Sequence, residues 1–551
     1  MNWFPLSVKQ LRSIAKFGGL FFICLILVIS CGKRPTTTPT PTNTNSASNS
    51  ARLVVGTTLK PRTLDPADAY ELASSNVLYS LGDRLYTYKL GTDQLIPQLA
   101  TELPKVSADG LTYTIPLRQG VVFHDGTPFN AEAMVFSLER FIKNGGQPSF
   151  LLADIVESVK ASAPYELTIK LKSPFTAFPS LLAFAGACAV SPKAYQIGAG
   201  KFNPNNFVGT GPYKLVEFTP NSIRLEVFDK YWGEKPANQG VDFQILTSPS
   251  NLYNSVSTGA VDIAYQDLDP DQIASLKNGA STGNWQVLEA KGNVVTYMAL
   301  NTKSEPLNKP EVRQAIAYLI DRNLINDRVL RKQGEPAYSI IPNTFTVSKP
   351  TFQTAYGDGN IAKAKELLTK AGFSKEKPFK LEVWYPSKST IRQQVASTLK
   401  EYVTQQLEGI VDLQPQAVES ATFFANIPKG IYPSVLVDWY PDFSDPDNYV
   451  QPLISCSKGS EATGCQEGAS QSQGSFYYSD RMNQLIKQQR SEKDPAKRQE
   501  IFAEIQELLA KDVPLIPLWQ TKDYGFAKKG VTGAQIDPIL QLPLWEIGKS
   551  N

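Results

Sequence analysis

Histidine occurs once in 551 residues, at position 124. That scarcity removes whole classes of chemistry. An H-E-x-x-H zinc site needs two histidines, and a histidine-rich metal cage needs more. A Ser-His-Asp triad would have to use His124, and no G-x-S-x-G elbow supplies its serine. C-x-x-C and the G-x-x-x-x-G-K-[ST] phosphate loop are both missing. S-x-x-K matches occur, Ser374/Lys377 and Ser455/Lys458 among them, without the S-D-N or K-T-G partners that such a nucleophile requires. Acids are plentiful, but nothing singles out a carboxylate pair for glycoside hydrolysis. Charge of one sign is lacking too. The net charge is +3, and Lys9, Arg12 and Lys16 carry an equal excess in a leader without acids. The remainder is therefore near neutral, which argues against nucleic acid as a partner.

Long apolar runs are absent after the first thirty residues. "GGLFFICLILVIS", 18–30, follows a basic stretch and is short for a membrane span, so 1–30 reads as a signal peptide. It ends at Ser30-Cys31 behind Leu27-Val28-Ile29, which resembles the lipobox of bacterial lipoproteins. The resemblance implies cleavage before Cys31 and lipid on that residue. "GKRPTTTPTPTNTNSASNS" then supplies no side chain able to anchor in a core, so 31–50 reads as a lipidated flexible linker. Cysteine is sparse: five in all. Cys24 leaves with the signal, and Cys188 sits in an apolar run and reads as a buried thiol. Cys456 and Cys465 flank a Gly/Ser-rich loop, which in an oxidising compartment suits a disulfide.

About 500 residues remain, enough for two or three domains. The first part is rich in strands: "LTYTIPLR" and "YELTIKLK" alternate, and "YKLVEF" with "IRLEVF" reads as a hairpin. After about residue 300 the pattern changes. "PEVRQAIAYLIDRNLI" puts Val312, Ile316, Leu319 and Ile320 on one helical face, "FKLEVWY" alternates as a strand, and "IRQQVASTLKEYVTQQLEGI" is amphipathic. Strand–helix–strand alternation predicts an α/β domain with a largely parallel sheet. His124 lies in "VVFHDGTPFNAEAMVFSLERF". There Asp125-Gly126 favours a tight turn, Pro128 fixes φ, and Asn130 is placed to cap a helix whose Met134, Leu138 and Phe141 face one way. Each residue has a backbone role, so a structural histidine is expected. A remote alternative is an extracytoplasmic hydrolase using His124.

That stretch, within "SADGLTYTIPLRQGVVFHDGTPFNAEAMVFSLER", resembles the signature of the family 5 solute-binding proteins that serve ABC importers of oligopeptides, dipeptides and nickel. "GTGPYKLVEF" with "DKYWGEKP", "STGAVDIAY", "LNKPEVRQAIAYLIDR" and "DWYPDFSDPDNY" resemble further landmarks of that family, in its order. The likeness implies an α/β fold: a two-lobed clamp of the type II periplasmic-binding-protein kind, with an additional inserted α+β domain. Lobe I would comprise 51–90, 210–295 and 520–551, the insertion 91–209, and lobe II 296–519.

The resemblance implies a function as well: no catalysis, no cofactor and no metal, but capture of a peptide between the lobes and delivery to an ABC permease and ATPase complex. The protein would work as a monomer outside the cytoplasm, held to the membrane by its N-terminal lipid. In the family's peptide binders an aspartate three residues after a tryptophan meets the α-ammonium, which carries over to Asp442 after Trp439. Trp439 and Tyr440 would be aromatic walls. A basic group for the peptide carboxylate would fall near Lys388 or Arg392, with Arg392 the chosen candidate. Tyr440-Pro441 is bulkier than the family pattern. The same clamp could hold a non-peptide solute instead: a nickel chelate, a sugar, an opine or glutathione. Read without the family, Asp442 is equally a loop acid, one of three in "DFSDPD".

Overall fold

The computed structural model describes residues 52–266, 268–537 and 541–549. The signal, linker and Cys31 expectations lie outside the described residues. Among those described, eleven strands form one sheet that runs through the molecule. Its two longest members, Trp285–Leu300 and Leu515–Lys528, pair antiparallel along nearly their whole length. At one end they continue into the strands Ile263–Tyr265, Leu53–Thr57, Gly240–Ile245, Ser222–Val227 and Tyr213–Phe218. At the other, Trp285–Leu300 pairs with Ser434–Trp439, which leads to Phe379–Pro386 and Val411–Val418. These three lobe II strands are parallel to one another. The two crossing strands are not, because they enter this lobe from the other one in opposite directions. The sheet is therefore mixed where a largely parallel one was expected.

Burial divides along the same line. One apolar core draws its residues from Val295 to Trp519. A second, Leu53 to Ile547, surrounds the sheet's other half. A third runs from Leu85 to Ala189 and takes in one distant residue, Phe443. It backs the four-stranded sheet containing Thr112–Pro116 and Glu166–Leu171 and the helix Ala131–Lys143. The helix forms as its sequence suggests. The Asn130 side chain accepts from the Ala133 N–H at 2.9 Å, Glu132 faces the positive end of the helix dipole, and Arg140 and Lys143 occupy the last turn. Met134, Leu138 and Phe141 are buried.

Arg140 also fastens this core to its neighbour. It forms a fully buried, two-pronged ion pair with Asp65 at 2.8 and 2.6 Å, while Asp65 accepts from the Asn203 N–H.

His124 is a clip. Its backbone N–H donates to the Gly209 carbonyl at 2.8 Å. Its Nδ1 accepts from the Gly209 N–H at 3.3 Å, which leaves the proton on Nε2 to donate to the Gly211 carbonyl at 3.0 Å. Burial pulls the ring's pKa down to about 4. Asp125 accepts from the Ser191 hydroxyl at 2.7 Å and the Thr127 N–H at 2.9 Å, closing the turn.

The stretch "PEVRQAIAYLIDRNLI" is two helices, Pro310–Leu319 and Arg322–Arg328, rather than one. Asp321 breaks it: its carboxylate caps the second helix through the Leu324 N–H at 2.8 Å. Cys456 and Cys465 are joined across a small hairpin, with Cα atoms 5.7 Å apart. Cys188 is a buried free thiol. Among the described residues no helix is long and apolar enough to cross a membrane.

Candidate functional site

The strand Ser434–Trp439 ends at the junction of the two lobes, and the chain then runs as a loop across the gap. A strand end over a crevice is where α/β folds place ligands. The loop is pinned on the far side: Phe443 packs edge-on to Phe175 with ring centres 6.1 Å apart, and the Ser444 N–H donates to the Tyr88 hydroxyl at 3.0 Å. Beneath it lies a cavity of about 470 Å³. Tyr70, Glu71, Leu72, Tyr79, Tyr88 and Phe184 line one wall; Asp438, Trp439, Tyr440, Pro441 and Asp442 line the other. Trp439 is half-buried and Tyr440 exposed. The structure thus brings Trp439, Tyr440 and Asp442 to one cavity.

The three acids of this loop differ in their partners. Asp445 receives both prongs of Arg498 at 2.9 and 2.7 Å. Asp447 is buried against Gln489 and Arg490, the latter at 3.5 Å. Asp442 has no ion-pair partner among the described residues. It is half-buried on the cavity wall. Desolvation pushes its pKa up to about 6 against the opposing pull of hydrogen bonds from Tyr70 and Asn448. Asn448 holds the motif's shape: its Oδ1 accepts from the Asp442 N–H at 2.9 Å and the Trp439 indole N–H at 3.2 Å. A desolvated carboxylate without a cation is an electrostatic gap that a bound ammonium closes.

Arg392 lies elsewhere in the arrangement. Its guanidinium is ion-paired with Asp438, whose other oxygen accepts from Thr296 at 2.7 Å. Asp438 lines the cavity, so Arg392 stands behind it with its charge already met. Lys388 is exposed on the turn before the helix Thr390–Leu407. Sequence reasoning missed Tyr70, Asn448 and Asp438. Tyr70 is 372 positions from Asp442, and no local pattern joins them. Among the described residues no three His, Cys, Asp or Glu side chains gather as a metal site would need.

The model of the bacterial extracellular solute-binding proteins, family 5, matches residues 94–461. The chain belongs to that family. Its members are binding proteins of transport systems, not enzymes, and they act outside the cytoplasm. The dipeptide-binding protein of Escherichia coli K12 is 28% identical over 505 residues, covering 87% of this chain and 90% of that protein. The glutathione-binding protein GsiB of Salmonella typhimurium is 27% identical over 488 residues, covering 86% and 90%. Among solved structures, DppA of Helicobacter pylori in complex with the peptide STSA superposes with a TM-score of 0.74 at 22% identity, covering 91% of this chain and 98% of that one. NikA of Brucella suis in complex with Fe(III)-EDTA superposes at 0.78 and 20% identity, covering 91% and 100%. The fold is the two-lobed type II clamp expected of the family, with the crossing strands as its waist.

Proposed function

We propose that this family 5 protein is a lipid-anchored receptor that captures peptides with a free amino terminus and hands them to an ABC permease and ATPase complex. Asp442 meets the α-ammonium, and Trp439 and Tyr440 wall it in. One observation carries the reading: Asp442 alone of its loop's acids has no cation, and it lines the inter-lobe cavity. The rest of the guest would be gripped through its main chain, which tolerates varied side chains. Arg392, neutralised by Asp438, would meet a guest's carboxylate only by sharing that charge. Anchoring through Cys31, oxidation of Cys456 and Cys465 in the cell, and a monomeric state belong to the same proposal. So does the division into lobe I (51–90, 210–295, 520–551), insertion (91–209) and lobe II (296–519); separate cores support three units, although Cys188, Val190, Tyr195 and Phe207 pack in the core of lobe I and Leu85, Tyr86 and Tyr88 in that of the insertion.

A second reading keeps the clamp and changes the guest. Glutathione also carries an α-ammonium, so Asp442 would serve it equally, and one relative is named for that ligand. A nickel ion without a chelator fits poorly, because the one histidine has both nitrogens engaged. Mass spectrometry of the guest retained through purification separates these readings. Titration calorimetry tests Asp442 directly. Asp442→Asn is expected to cost about 3–5 kcal/mol in affinity for amino-terminated peptides, because the guest's charge is left unpaired in a desolvated site. Near-unchanged affinity, with the free amine still required, removes Asp442 from the role.

A further inference from the structure

A second carboxylate lacks a partner, and it lies at the waist. Where the crossing strands pass between lobes, their pairing is interrupted between Lys291 and Val295. Opposite this irregularity, Asp523 Oδ2 and Thr521 Oγ1 are both buried with no hydrogen-bond partner. Both crowd the space beside Gly292: a Cβ there would stand 2.4 Å from the hydroxyl and 2.6 Å from the carboxylate oxygen. Asp523 and Thr521 line a small cavity of about 180 Å³ together with Tyr440 and Leu72. Those last two residues also line the Asp442 cavity, so the two spaces meet at the Tyr440 ring. Tyr449 lies between the acids: its hydroxyl donates to the Asn293 carbonyl at 2.7 Å, and it feels both Asp442 and Asp523.

Among the described residues no cation pairs with Asp523. Lys522, its neighbour, also lines this cavity, but its ammonium pairs with Glu289 and Glu335 at 3.7 and 3.9 Å. Burial alone raises the carboxyl to about 7. Buried polar groups in folded proteins are satisfied, and two unsatisfied ones side by side on a cavity wall point to a ligand.

We propose that Asp523 and Thr521 form a second recognition point of the cleft, which takes the cationic side chain of a guest whose amino terminus is held at Asp442. This rests on the reading of the cleft as a peptide site and narrows it to peptides carrying a lysine or arginine close to the amino end. The carboxylate supplies the charge and the hydroxyl a further acceptor, with the guest's alkyl stem passing along Tyr440.

The test is calorimetry with tripeptides that carry lysine or methionine at the second or third position in an otherwise alanine background. The wild type is expected to bind a lysine peptide about 10-fold or more tightly than its methionine counterpart. Asp523→Asn removes that preference while the affinity for the methionine peptides holds. Thr521→Val, which replaces an unpaired hydroxyl by a methyl of the same shape, reduces the preference and keeps a folded control should the aspartate variant fail to fold. Methionine peptides that bind through Asp442 with no lysine preference, or a preference that survives in both variants, overturn the second site alone. Wild type that binds none of the peptides overturns the peptide reading and this site with it.

Discussion

In the proposed role, the protonation state of Asp442 governs binding. Burial raises its carboxyl to about 6, and only the carboxylate pairs with an ammonium. A cationic guest favours the charged form, so binding below that value must first expel a proton. The affinity of amino-terminated guests is therefore expected to be flat just above pH 6 and to weaken by up to about 10-fold for each pH unit below it. A second decline follows near pH 8 as the guest's own amine, of pKa about 7.7–8.0, deprotonates. Asp442→Asn is expected to abolish the acid limb and the alkaline one with it, because the variant gains nothing from a charged amine. Calorimetry from pH 4.5 to 8.5 in buffers of different ionisation heat reads both affinity and proton release. An acid limb that persists in Asp442→Asn would assign it to another group.

At the scale of elements, the stretch around His124 is the structural fastening its sequence suggested. His124 joins the turn before Ala131–Lys143 to the Gly209–Gly211 strap through three backbone contacts. Its folded-state pKa, about 4, lies below the ordinary 6.5. The unfolded chain therefore takes up a proton that the folded one refuses. This residue adds nothing to the pH dependence above 6.5, and stability is lost as pH falls from 6.5 towards 4. His124→Ala is expected to cost about 2–4 kcal/mol at pH 7, from two lost side-chain hydrogen bonds and a cavity, and to flatten this part of the acid dependence. Denaturant midpoints at several pH values check it. Guest affinity, measured alongside, should hold, because His124 is not among the residues lining the cleft. What the sequence made legible here was local. Asn130 capped as its position suggested, and Met134, Leu138 and Phe141 went inward. The break at Asp321 was less visible, because an aspartate in a helical pattern looks like a solvated face until its carboxylate finds the Leu324 N–H. The partners of the candidate site were not legible at all. Arg392 meets Asp438 across 46 positions, and Asp442 meets Tyr70 from a different lobe. Such pairings are set by topology, which no periodicity of 2 or 3.6 encodes.

For the molecule as a whole, the question is what keeps the clamp shut. The waist is two strands whose pairing is interrupted at Gly292–Val294, so the lobes can pivot there without breaking the sheet on either side. The mouth is held by few and partly exposed contacts. Thr176 donates its N–H and hydroxyl to the Arg490 carbonyl at 2.8 and 3.0 Å, and Lys493 Nζ donates to the Ala108 carbonyl at 2.8 Å. Bonds of this kind contribute about 0.5–1.5 kcal/mol each, less where water competes. Together they bias closure without locking it, as a receptor that must release its cargo requires. Thr176→Val with Lys493→Ala removes the side-chain hydrogen bonds of both residues and is expected to shift the balance towards open by roughly 1–2 kcal/mol. Since the binding surfaces stay intact, the change should fall on the dissociation rate, faster by about 5- to 30-fold, with the association rate little altered. Stopped-flow fluorescence of Trp439 reads the rates, and small-angle scattering reads a larger radius of gyration at partial saturation. An unchanged dissociation rate in that double variant would mean that the guest, through Asp442 and the loop pinned by Phe443, holds the lobes together on its own.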